Sequence, residues 1–139
     1  MAAYTITAAQ VAPGSGCQWK WATAGETITA GMAVYVTEGG VAMKATNAGT
    51  PAQSECVGVA LASANLDQPI PYAYTGTVVL ATGGAVGIIG DIVIVFTTAG
   101  SLYPALDISG GYTTVVGALG ATGQELILAP FASGIVWTD

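Results

Sequence analysis

Apolar and polar residues alternate in short stretches along most of this chain. Trp19-Lys20-Trp21 reads aromatic, charged, aromatic, which in a strand puts both tryptophans on one side and Lys20 on the other. Met32 to Thr37 reads as a strand ending at Glu38-Gly39-Gly40, and Val41 to Ala45 as its hairpin partner. Asn47 to Pro51 reads as a loop, and Cys56 to Leu61 as a buried run. Pro69 and Pro71 flank Ile70, a pattern that suits an edge or connector better than a central strand. Tyr72 to Tyr74, Thr77 to Ala81, Ile92 to Thr97, Tyr112 to Leu119 and Glu125 to Leu128 complete the predicted strands, with a turn at Asp107 to Gly111. One short helix is predicted near Ala60 to Leu66. Many short strands with regular turns predict an all-β fold, a compact small barrel or sandwich.

The pattern repeats. Gly31-Met32-Ala33-Val34-Tyr35-Val36 matches Gly90-Asp91-Ile92-Val93-Ile94-Val95, and Val57-Gly58-Val59-Ala60-Leu61 matches Val116-Gly117-Ala118-Leu119-Gly120. Gly31 to Gly58 and Gly90 to Gly117 are each 27 positions. Neither unit can bury its apolar face alone, so the two are expected to pack together. The expected organisation is residues 1–24 as an N-terminal arm and first strand. Residues 25–139 then form a single β domain with an internal repeat at about 25–75 and 84–131.

Composition narrows the chemistry. The 139 residues include Lys20 and Lys44, no arginine and no histidine, for a net charge of −6. Two cations cannot neutralise a run of phosphates, so no nucleic-acid partner is expected. Without histidine there is no imidazole base, no serine–histidine triad and no imidazole metal ligand. The apolar window from Thr77 to Phe96 holds Gly83-Gly84, Gly87, Gly90 and Asp91, and reads as two strands and a turn with no membrane partner. The N-terminus has neither a positive region nor a long apolar run, so no signal peptide is expected.

The eight acids sit mostly beside Gly, Thr, Ser or Asn, as solvated turn residues do, and no two are paired locally. No calcium-loop spacing and no phosphate-loop motif occurs. Cys17 and Cys56 read as two free thiols. The expectation is no enzyme, no cofactor, no metal site and no catalytic residue. The aromatic residues Trp19, Trp21, Tyr72, Tyr74 and Trp137 suit a β core or an oligomer interface, with a sugar-binding platform as the minor reading. The Ile135-Val136-Trp137 tail suits docking on a neighbour.

Glu26 to Val36, Val57 to Leu61, and the second copy Gly90 to Val93 with Val116 to Leu119 resemble tailed-bacteriophage head decoration, or capsid cement, proteins over about residues 25–131. The resemblance implies a small β-rich protein, typically a homotrimer, on the outer surface of the virion capsid. Such a protein is made in the host cytoplasm, binds the major capsid protein and stabilises the mature capsid. It further implies an extended N-terminal arm, here residues 1 to about 20. Tyr4, Ile6, Trp19, Trp21, Tyr72, Tyr74 and Trp137 are the candidate capsid or subunit contacts. The alternatives are another phage structural part, such as a head fibre or tail protein, and a carbohydrate-binding β module.

Overall fold

The computed structural model describes residues 3–82, 84–95, 98–105, 112–120 and 123–136. Trp137 and the predicted turn at Asp107 to Gly111 lie outside them. The fold is all-β. Ten strands join in one sheet: β1 (Ala12–Pro13), β2 (Gln18–Ala24), β3 (Ala33–Val36), β4 (Val41–Lys44), β5 (Gly58–Ala60), β6 (Pro69–Val79), β7 (Ile92–Val95), β8 (Leu102–Pro104), β9 (Tyr112–Gly120) and β10 (Glu125–Val136). The predicted hairpin is β3 and β4, paired through Val34 with Lys44 and Val36 with Ala42.

The pairings of the first half close on themselves. The order β2-β4-β3-β5-β6 returns to its start, because β2 also pairs with β6. A ring of only five strands has a narrow interior. Its contents are correspondingly small: Ala24, Ala42, Ala60 and Ala64 surround Ile28, Val34, Ile70 and Tyr72. Beyond the ring the order continues β6-β10-β9-β7-β8. The larger core lies here, with Val78, Leu80, Val93, Val95, Leu102, Val116, Leu119 and Leu126 all essentially sealed from solvent. Each such side chain contributes roughly 1.5–3 kcal/mol of burial free energy.

Strand β6 belongs to both halves. Its start lies between β2 and β5, and its end lies between β1 and β10. The predicted strands Tyr72–Tyr74 and Thr77–Ala81 are therefore one strand, kinked at Gly76, whose φ is 88°. Only glycine takes that conformation without strain.

The prolines of β6 fall where the strand has a neighbour on one side only. Pro71 and Pro69 pair with Trp21 and Thr23 of β2, β5 meets β6 only at Tyr72 and Ala73, and Ile70 between the prolines is fully buried. The Pro71 carbonyl accepts from Leu61 N–H at 2.9 Å, so its ring nitrogen also faces the β5 side. There β5 has already ended at Ala60. The missing donors therefore lie on the side beyond the end of β5, while Ile70 and Tyr72 face β2 with their N–H groups intact.

The helix is also placed differently from the prediction. Ala60 is the end of β5, and residues 61–68 form turns bridged by Ile28 with Ala64. The helix, α1, is Pro51–Ser54. Thr50 caps it: its hydroxyl accepts from Gln53 N–H, and the Gln53 side chain accepts from Thr50 N–H at 2.8 Å. This reciprocal cap, with proline at the first helical position, outweighs the weak apolar pattern downstream. Thr50→Ala is expected to cost about 1 kcal/mol, read as a lower urea midpoint at unchanged slope.

The two repeat segments share details of pairing. Ala33 pairs with Val59 and Val34 with Gly58; 59 positions on, Ile92 pairs with Ala118 and Val93 with Gly117. Gly31 and Gly90 have φ of 91° and 92°. A Cβ on Gly58 would strike the Ala73 carbonyl, and one on Gly117 the Ile127 carbonyl. The segments part at their ends: β5 reaches β6 through a long turn, whereas β9 folds directly onto β10 with Leu119 opposite Leu126.

Candidate interaction surface

Among the described residues, strand β2 carries the most exposed aromatic side chains. Trp19 and Trp21 are 49% and 67% exposed. Register explains why they share a side. Trp19 pairs with Ala73 and Trp21 with Pro71, so both stand on the outer face of the ring. A row crosses four strands from Ala33 through Val59 and Ala73 to Trp19. Its first three members are buried in the larger core, and its last is the exposed tryptophan. The core thus runs out to the surface at Trp19.

The opposite face of β2 is polar at its start, with Gln18 and Lys20, before Ala22 and Ala24 join the ring core. Between Gln18 and Trp19 the register with β6 slips, leaving Tyr74 as the extra residue. Such a bulge re-aims a side chain. The Tyr74 hydroxyl donates to Gln18 Oε1 at 2.9 Å, and Lys20 Nζ stands 4.7 Å from the Tyr74 ring centroid. That cation–π distance is favourable and fixes the position of the ammonium. Tyr72 does not join the exposed aromatics. It points into the ring, 8% exposed.

The N-terminal candidates lie against the body. Tyr4 N–H donates to the Leu102 carbonyl at 2.8 Å, and its hydroxyl donates to Asp91 Oδ2 at 2.9 Å. Burial and the Asp91 carboxylate together push the Tyr4 phenol well above its usual range. Ile6 packs on Gly31 and against the larger core, and β1 pairs with the end of β6. Residues 3–17 are therefore folded onto the domain in the isolated chain.

A second apolar patch carries no sequence signal of its own. Ile92, Ala118, Ile127 and Thr77 form one row across β7, β9, β10 and β6. Ile92 and Ile127 are about half exposed, and Ile88 and Ile89 in the turn before β7 are more exposed still. The run Ile88-Ile89-Gly90-Asp91-Ile92 looks like core, yet among the described residues no strand or helix is packed over this face.

The remaining chemistry is sparse. A groove of about 350 Å³ between β3 and α1 is lined by Tyr35, Thr37, Glu38, Glu55 and Val57, with no cation or thiol on its walls. Among the described residues no three acidic, cysteine or histidine side chains gather as a metal site, and no helix is long and apolar enough to cross a membrane. Lys44 pairs with Glu26 at 3.6 Å near the surface. Both cysteines are free, and Cys56 is buried.

Burial pushes the Cys56 thiol up to about 12. A thiol pKa raised by folding gives stability that is complete below the unfolded value, near 9, and is lost as pH climbs from there toward 12. Over that window the loss is expected to approach about 1.4 kcal/mol per pH unit. Urea melts from pH 8 to 11 check it against Cys56→Ala, which should flatten the decline.

No protein-family model matches this chain, and no curated protein matches it either. The described residues define a small all-β protein with exposed apolar side chains on two of its faces.

Proposed function

We propose that the chain is a structural virion protein, a head decoration or cement protein that binds the exterior of a mature tailed-phage capsid and stabilises it. Its partners are then the major capsid protein and further copies of itself, most simply in a homotrimer. The observation that carries this reading is the pair of exposed apolar faces, Trp19 with Trp21 and Ile92 with Ile127, on a domain with two cations in all. Contiguous exposed apolar surface marks association. Repeated modest contacts on a symmetric shell gain from multivalency. The folded-back segment of residues 3–17 supports a body that binds as a rigid block, with any arm released only on the shell.

The test is incubation with undecorated mature heads followed by sedimentation, beside sedimentation equilibrium of the free protein. Saturable co-sedimentation with a fixed number of copies per head supports the proposal, and protein that stays in the supernatant at every concentration rules it out. Another phage structural role, such as a head fibre or tail part, is separated by gene position beside the major capsid gene. The exposed indoles also favour a carbohydrate-binding reading, weakened because Tyr72 is turned inward. A glycan array followed by tryptophan fluorescence titration decides that alternative.

A further inference from the structure

Strand β2 is paired on both sides for only part of its length. On one side β6 accompanies it from Gln18 to Thr23. On the other side β4 meets it only at Thr23 and Ala24. The last bond on that side runs from Thr23 N–H to the Gly40 carbonyl at 3.0 Å. Among the described residues no strand borders Gln18 to Ala22 there. Backbone direction alternates along a strand. Because the N–H of Thr23 faces the β4 side, the N–H and carbonyl groups of Trp21 and Trp19 face the same open side. The open run therefore offers two residues with outward hydrogen-bonding groups, and both carry exposed indoles.

We propose that this edge is a docking site for an extended segment of a partner protein, added as an antiparallel strand, with the pattern apolar–acidic–apolar. The acid follows from Lys20. The residue opposite Lys20 in such a pair places its side chain on the face of Lys20, where the ammonium is held over Tyr74. The two flanking residues fall on the face of Trp19 and Trp21 and pack on the indoles. A second copy of the same edge fits poorly. Setting Trp19 opposite Trp21 of another chain puts Lys20 opposite Lys20, and like charges across a strand pair repel. Lys20 thus discourages self-pairing in that register and favours a carboxylate opposite it. This goes beyond the virion reading and does not depend on it, since any partner with that pattern would serve.

The probe is a capped heptapeptide of sequence threonine-threonine-valine-glutamate-valine-threonine-threonine, titrated into the whole protein and followed by amide resonances. Saturable shifts confined to residues 18–22 and the neighbouring β6 are expected. Glutamine in place of glutamate should weaken binding about two- to fivefold. Lys20→Glu should reverse the preference in favour of a lysine-centred peptide. The valines face the protein's backbone and the glutamate N–H faces away. N-methylation of both valine nitrogens should therefore abolish binding, and N-methylation of the glutamate nitrogen should spare it. Shifts that do not saturate at the peptide's solubility limit, or that centre elsewhere, overturn the proposal. So does equal loss from the two methylation patterns.

Discussion

Gly76→Val is expected to remove most of the stability of this protein. Two costs coincide at that position. A branched side chain at φ 88° is strained, at roughly 1–3 kcal/mol. A Cβ there would also overlap the Gly16 carbonyl oxygen and crowd the Cys17 backbone, and neither can swing aside as a flexible side chain could. Overpacking of this kind adds roughly 1–3 kcal/mol. The sum, about 2–6 kcal/mol, is a large share of a typical domain's margin. Urea denaturation followed by circular dichroism measures it. A midpoint within error of the parent would mean that β6 is not kinked there. Gly84→Val is the control, because nothing lies near that position.

The second large effect concerns binding. The double variant Trp19→Ala, Trp21→Ala is expected to lower affinity for undecorated heads by at least a hundredfold. Buried aromatic anchors are the commonest hot spots, at about 2 kcal/mol or more each. Its stability should fall by only about 1–2 kcal/mol, because Trp21 stands largely in water and Trp19 is about half exposed in the free protein. Ile92→Ser with Ile127→Ser tests the other face in the same assay. Unchanged binding by both double variants would remove the apolar faces as the basis of the proposed function.

Some of this was readable from the residues. Trp19-Lys20-Trp21 declares its two faces by alternation alone, and Val34 to Val36 with Val41 to Lys44 declares a hairpin through its glycine turn. What alternation cannot tell is which face meets another layer. Trp19 and Ala73 share a row, yet one is exposed and the other buried, because the larger core stops between β6 and β2. Tyr72 and Tyr74 are two apart and read as a matched pair. Both belong to the ring side, but Tyr72 is buried in the ring cluster while Tyr74, at the bulge, only packs against that cluster and reaches Lys20 and Gln18. The Pro69-Ile70-Pro71 pattern reports one side of the strand only. Proline excludes a strand only from the side on which its missing donor would be needed, and that side is set by where β5 ends. The helix at Pro51–Ser54 has a legible start, in the threonine before it and the glutamine three positions on, but a four-residue helix leaves no periodicity to find.

Strand β6 has a consequence for how the domain can come apart. It closes the alanine-lined ring with its first half and supplies the neighbour of β10 with its second. A chain cut in the turn after Ala81 would leave β6 with the first fragment and take from the second the strand beside β10. Neither fragment would then hold a complete sheet, and each would carry the other's missing edge. The two halves of the sequence look like separable units, but they share one beam, and the molecule should melt in a single transition and recover from cleavage only by fragment complementation.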